Sequence, residues 1–373
     1  MAERLEEVAL ARPGRSGQAQ VLAAGDPLER AQRLLGSGRD RRGRLVPAVE
    51  RLARREPRAG AAVADGRGVA AVGLEAATYR PGDDVFHAAI GGAGTCGVVI
   101  GAEILCEPAY NLAKAVKVVR RDWAEAIWTP AEENTHLSFY YFGGLTRSID
   151  QEEDRDLSHV RMNKWNRTID PPAKLWRLNK IKSELFDRVF SGHLIGVARA
   201  LHVADWLARV SIFFYALAVN HRTVVYPADE GFARLLYFRH DEIEYGLADE
   251  DLLPGLNEVR AMLLRRHYPT IIEVRFTPNN SQGLLGPGVE RRTAYVELAP
   301  SLSRRTDPVF QEFEQIVLRH GGRPHLGKKL YIDRDNMDAI YGTKKMDAFD
   351  TARDAQDPSG KFLNDFTRDL LVG

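Results

Sequence analysis

Residues 249–267 read DEDLLPGLNEVRAMLLRRH, and residues 271–277 read IIEVRFT. The first stretch opens on Asp249, an acidic residue suited to capping a helix. Leu252, Leu253, Leu256, Val259, Met262 and Leu263 then recur at helical spacing, which predicts one apolar helix face. The second stretch is a strand by its alternation. Ile272, Val274 and Phe276 point one way, Glu273 and Arg275 the other. The apolar side must be buried, so the charged side needs a specific destination. An exposed pair on an edge strand would contribute little; an internal cavity wall also fits.

The neighbouring segments extend the pattern. Residues 308–320 read as a helix with Phe310, Phe313, Ile316 and Val317 inward, and residues 295–299 and 234–247 read as strands. The aromatic-rich stretch 136–142 reads as a strand with 161–168 as its antiparallel partner, and 115–119 as another. Residues 170–206 read as helical, with Leu175, Leu178, Ile181, Leu185 and Val189 in helical register. Strands, helices, then strands again indicate an α+β domain with a mostly antiparallel sheet flanked by helices.

Three further motifs carry chemistry. Residues 323–328, RPHLGK, place His325 and Lys328 three apart in a glycine-containing turn. After one predicted helix, residues 357–364 read DPSGKFLN, an Asp-Pro helix stop followed by a turn. Residues 91–97, GGAGTCG, lie between a predicted short helix over 83–90 and a predicted strand over 98–106. Such a turn lets a ligand approach the backbone closely. It precedes a strand and does not open a helix, so it is a weak phosphate loop.

Arg-Pro-His-x-x-Lys, Glu-Val-Arg-Phe-Thr and Asp-Pro-x-Gly-x-Phe-Leu-Asn together resemble the FAD-linked sugar-1,4-lactone oxidases. This is the family of gulonolactone, galactonolactone and arabinonolactone oxidases, of the vanillyl-alcohol-oxidase type. Each motif alone is weak; their shared order over residues 84–373 carries the resemblance. It implies an oxidoreductase acting on a C–OH of an aldono-1,4-lactone or related alditol, with FAD as cofactor and hydride transfer to the flavin. Oxygen or another acceptor would take the electrons. The resemblance places Glu273, Arg275, His325 and Lys328 in the catalytic site, where His325 or a desolvated Lys328 takes the hydroxyl proton or stabilises the alkoxide. It places Gly91, Gly92, Gly94, Thr95, Cys96, Gly97, Val98 and Asn364 beside the cofactor. By this reading 79–112 are part of an FAD-binding subdomain. Residues 113–345 form the substrate domain, and 346–373 return toward the flavin side.

Residues 1–78 are compositionally foreign to the rest. They contain no Phe, Trp, Tyr, Ile, Lys, Asn, His or Cys. Little there can build a core, so a disordered or loosely helical segment is expected, with a helix or two over 28–52. The N-terminal half of the family's cofactor domain has no visible counterpart in it. The chain alone is therefore expected to bind FAD weakly or not at all. A flavin-free sugar or lactone binder, or an inactive remnant, stays open as the alternative.

Composition excludes other classes. The net charge of +1 gives no reason to expect nucleic acid. Two cysteines, Cys96 and Cys106, make no disulfide framework, which points to a reducing, cytoplasmic setting, and no metal spacing occurs. Residues 207–219 are unusually apolar but shorter than the ~20 residues a bilayer span needs. They are expected to be buried in the substrate domain; a peripheral membrane contact is the other reading.

Overall fold

The computed structural model describes residues 5–13, 74–104, 108–119, 128–143, 160–187, 223–232, 240–266, 268, 270–277, 282–300 and 306–373. The expected helix over 28–52, residues 188–206 and the apolar stretch 207–219 lie outside the described residues. So does the beginning of the expected strand over 234–247.

The chain divides into two compact units, one comprising Arg4–Leu105 with Ala348–Asn364, the other Cys106–Asp347 with Asp365–Gly373. In the first, β1 (Leu5–Pro13), β2 (Leu74–Tyr79) and β3 (Val98–Ile104) form a sheet of order β2-β1-β3, both pairs antiparallel. Two of these strands fall within the segment expected to be disordered or loosely helical. That expectation is corrected for 5–13 and 74–78. Composition reports how little a segment can bury by itself, whereas β1 satisfies its backbone on strands from elsewhere in the chain. The short helix α1 (Asp84–Ala89) precedes the glycine turn.

The second unit is built on an eight-stranded sheet. Its strands are β4 (Asn111–Val119), β5 (His136–Gly143), β6 (Val160–Thr168), β7 (Val224–Pro227), β8 (Ile243–Leu247), β9 (Thr270–Thr277), β10 (Thr293–Leu298) and β11 (Arg323–Pro324). Their order is β11-β8-β10-β9-β5-β6-β4-β7, and every pair is antiparallel. The helices in chain order are α2 (Trp128–Glu133), α3 (Trp176–Asp187), α4 (Ala228–Phe232), α5 (Asp249–Arg265), α6 (Asp307–Arg319), α7 (Arg334–Tyr341), α8 (Thr343–Gln356) and α9 (Asp365–Leu371). Helix α8 begins in this unit and continues in the other.

Helices α5 and α6 cover one sheet face. Leu252, Leu256, Val259, Met262 and Leu263 of α5 join Phe310, Phe313, Ile316 and Val317 of α6. They pack on Leu137, Phe139 and Tyr141 of β5, Ile243, Tyr245 and Leu247 of β8, Ile272 and Val274 of β9, and Val296 and Leu298 of β10. Period-two strands and period-3.6 helices thus supply one continuous apolar layer.

Several expectations need correction. The residue preceding α5 is Ala248 and makes no side-chain cap; Asp249 lies in the first turn with Glu250 and Asp251. There their charge meets the positive end of the helix dipole, and Asp249 pairs with Arg292. The single helix expected between the RPHLGK and DPSGKFLN motifs is two, α7 and α8. Gly342, at φ +81°, caps α7 through its N–H to Asp338 O at 2.9 Å, a backbone conformation that ends a helix. In α3 the apolar residues Leu178, Ile181 and Leu185 are exposed, as is Leu175 just before it.

Candidate functional site

The sheet face opposite α5 and α6 is polar, and the register says why. Glu244 of β8, Glu297 of β10 and Glu273 of β9 stand directly opposite one another across three adjacent strands. The row continues through Tyr140 of β5 to Arg161 of β6. The next row runs Gly246, Tyr295, Arg275, Ser138 and Asn163. Alternation puts all of these on the face away from the apolar core. Glu244, Glu297, Ser138, Asn163 and Arg161 are nevertheless buried. Burial on this scale requires partners.

Arg275 supplies the central one. Its Nη2 donates to Glu297 Oε2 at 2.7 Å and to Glu244 Oε1. The guanidinium side chain is 43% exposed over carboxylates that are 2% and 7% exposed, so it forms the open end of a buried acidic pair. Burial works against its charge, but Glu244, Glu273 and Glu297 together raise its affinity for the proton. Glu297 shifts the other way for a carboxyl. Burial raises it; Arg275 opposes; Glu244 and Glu273 push it further up, to about 7. Like charges directly opposite across a ladder are unfavourable, and Glu297 has one on each side. On β6, Arg161 Nε donates to Asn163 Oδ1 at 3.1 Å, and Asn163 Nδ2 to Ser138 Oγ at 3.3 Å.

The turn after β11 reaches the same edge. The His325 N–H donates to the Glu244 carbonyl at 3.0 Å, and the Lys329 N–H to the Glu242 carbonyl at 3.0 Å. Lys328 Nζ donates to Glu242, which also bonds His240 Nε2 at 2.6 Å. Burial disfavours the charge on Glu242, but these two partners hold its carboxyl below the ordinary range. The Lys328 charge also reaches Glu297, which it pulls downward. His325 turns its Nδ1 to accept the Gly327 N–H at 3.1 Å.

Glu273, Arg275 and Lys328 therefore all act on one carboxylate, Glu297, while His325 joins the group through its backbone. Glu242, Glu244, Tyr295 and Glu297 fall on the strands expected over 234–247 and 295–299 but were given no part in the site. The signal was present, since Glu242-x-Glu244 and Tyr295-x-Glu297 repeat the polar i, i+2 spacing of Glu273-x-Arg275.

The residues expected at the cofactor lie in the other unit. The glycine turn has left-handed backbone at Gly91 (φ +79°), Ala93 (+51°), Gly94 (+75°) and Gly97 (+136°). A Cβ at Gly92 would stand 2.3 Å from the Ala88 carbonyl oxygen and 3.1 Å from the Phe349 ring of α8. Around Gly94 a Cβ would meet nothing within 4 Å. Thr95 is buried and its Oγ1 donates to Gly92 O at 2.8 Å. Cys96 is buried, and that burial raises its thiol to about 11, the range of an inert side chain. Ala93 and Gly94 are exposed, and Val98 and Val99 after them are more than half exposed. Exposed backbone flanked by apolar side chains fits one wall of a flat aromatic ligand such as a flavin. Asn364 is exposed and falls in the same unit. The Asp357 side chain accepts the Phe362 N–H at 2.7 Å and so orders the turn before it.

Among solved structures, a solvent-stable cholesterol oxidase shares the fold. Its TM-score is 0.54 at 13% identity, covering 80% of this chain and 66% of that one. The cholesterol oxidase of Brevibacterium sterolicum matches similarly, with a TM-score of 0.51. The chain thus shares its fold with these structures. The family is narrower: a model described as D-arabinono-1,4-lactone oxidase matches residues 102–370, and the chain belongs to that family. It is 32% identical over 156 residues to an L-gulono-1,4-lactone dehydrogenase of Mycobacterium tuberculosis, covering 41% of this chain and 36% of that protein. It is 23% identical over 302 residues to the L-gulonolactone oxidase of Scyliorhinus torazame, covering 76% of this chain and 62% of that protein. The chain thus spans between about one third and three fifths of the length of these relatives.

Proposed function

We propose that this protein is an FAD-linked oxidoreductase that oxidises a C–OH of an aldono-1,4-lactone or a related alditol. The observation that carries the reading is the cluster on the polar sheet face, where Arg275 bridges Glu244 and Glu297 beside Glu273. Carboxylates accept hydrogen bonds from sugar hydroxyls, and the partly exposed guanidinium donates to a hydroxyl or carbonyl oxygen in a fixed planar fork. As the hydroxyl becomes a carbonyl, negative charge develops on its oxygen, and Arg275 with Lys328 stabilises it. A bound flavin would supply the two-electron acceptor. Gly91–Gly97 and Val98 would form part of its surface, with Asn364 as a further contact. The membership of the chain in a lactone oxidase family supports the substrate class. The electron acceptor after the flavin is oxygen or another oxidant.

The test is to purify the chain with FAD added and follow the flavin absorbance on addition of gulono-, galactono- or arabinono-1,4-lactone without oxygen. With FAD in large excess, to offset the weak binding expected of this chain, bleaching with at least one lactone is expected, weakened ~100-fold or more by Lys328→Ala through loss of a donor to developing charge. Tight lactone binding with no flavin retained would favour a binding protein instead.

A further inference from the structure

We propose that Glu297 is the proton acceptor of the oxidation, receiving the proton of the substrate hydroxyl whose oxygen Arg275 holds. The inference rests on the reading given under Proposed function. Its ground is a surplus of carboxylates. Glu244, Glu297 and Glu273 occupy one row on three adjacent strands, and Glu297 is the middle member with a carboxylate directly opposite on each side. The guanidinium of Arg275 bonds Glu297 and Glu244 and is the cation seated among them. Lys328, the other cation that reaches Glu297, is committed to Glu242. With one guanidinium among three acids, the central one, faced by a carboxylate on each side, is the natural holder of a proton. Its shift to about 7, caused first by burial, agrees with the placement.

Two other side chains are poor acceptors. Lys328 is already engaged as a donor to Glu242. His325 already uses Nδ1 to accept the Gly327 N–H. Glu297, by contrast, shares its guanidinium partner with the incoming hydroxyl oxygen. A carboxyl with a value near the working pH is matched to moving a proton in either direction. In the step the O–H bond breaks and its proton joins a Glu297 oxygen. The C=O bond forms as the carbon's hydrogen is given up with the C–H electron pair, for which a bound flavin would be the two-electron acceptor. The proton is later lost to solvent.

The experiment has one part that needs no turnover. The full chain, labelled with ¹³C at glutamate carboxyls, is titrated by NMR, with Glu297→Gln to assign the signal; a midpoint about 7 is expected. The FAD-supplemented chain is then assayed with a neutral aldono-1,4-lactone across pH, with affinity measured separately by calorimetry. Wild type should show kcat/KM rising through the same midpoint. Glu297→Gln should lose at least ~100-fold in kcat and lose that limb while still binding the lactone, and Glu297→Asp should recover part of the rate. Titration of Glu297 in the ordinary carboxylate range, or a Glu297→Gln enzyme that keeps the limb, overturns the assignment alone. A chain that neither binds nor oxidises any of the lactones overturns the functional reading and the assignment with it.

Discussion

Arg275 of β9 donates to Glu297 of β10 at 2.7 Å while Glu297 faces Glu273 directly across the same pair of strands. The one contact is attractive, the other repulsive, and both are set by strand register. A site built this way stores its chemistry in charge balance, so its variants should be read against pH.

Arg275→Ala should destabilise the fold. It leaves two buried carboxylates, Glu244 and Glu297, without their guanidinium. The loss should be roughly 2 kcal/mol, less than the ~3–5 kcal/mol of a fully buried pair, because the guanidinium is partly exposed. Thermal unfolding should show a larger deficit at pH 8 than at pH 5, where Glu297 holds its proton. An equal deficit at both would mean the pair is not ionic in the way described.

Glu297→Gln should stabilise the protein at alkaline pH. The folded carboxyl sits at about 7 against an ordinary 4.5. Between these values the native state keeps a proton that the unfolded chain has lost. This contribution is therefore full below 4.5, declines as pH rises, and is gone above 7. Gln mimics the neutral form at every pH, so the variant's advantage should grow from pH 5 to pH 8, up to ~3 kcal/mol. Denaturant midpoints of both proteins across that range would show it.

Gly92→Ala and Gly94→Ala should differ in kind. At Gly92 a methyl group collides with the Ala88 carbonyl oxygen and the Phe349 ring, so the turn must shift, costing ~1–3 kcal/mol. At Gly94 there is open space, and only its left-handed backbone opposes the change, at ~1–2 kcal/mol. Added FAD provides a second readout. If the ligand lies on exposed backbone at Gly94, the methyl there should weaken flavin retention more than it weakens the fold.

Leu178→Ser and Ile181→Ser on α3 should change stability by no more than ~0.5 kcal/mol, because both side chains are exposed. A drop of several degrees in melting temperature for either would show that something covers this face.

The secondary structure of the sheet domain was legible because its periods are strong. Ile272 and Val274 against Glu273 and Arg275 leave little choice of strand face, and Phe310, Phe313, Ile316 and Val317 fix that of α6. The glycine at 342 was the missed signal for two helices. The N-terminal strands were hidden for another reason, since β1 has no strong pattern and exists as a strand through its ladders to β2 and β3.

By itself the sequence determined which side chains are polar on which strand, and three ordered motifs tied them to sugar-lactone chemistry. It could not determine which glutamate would stand beside which. Glu244, Glu273 and Glu297 come from strands separated along the chain, and a register change of one residue would send any of them to the opposite face. Only the folded sheet decides that Glu297 is the middle one, because cross-strand pairing is set jointly by the buried apolar face and the chain connections. Its burial between two like charges follows from that pairing.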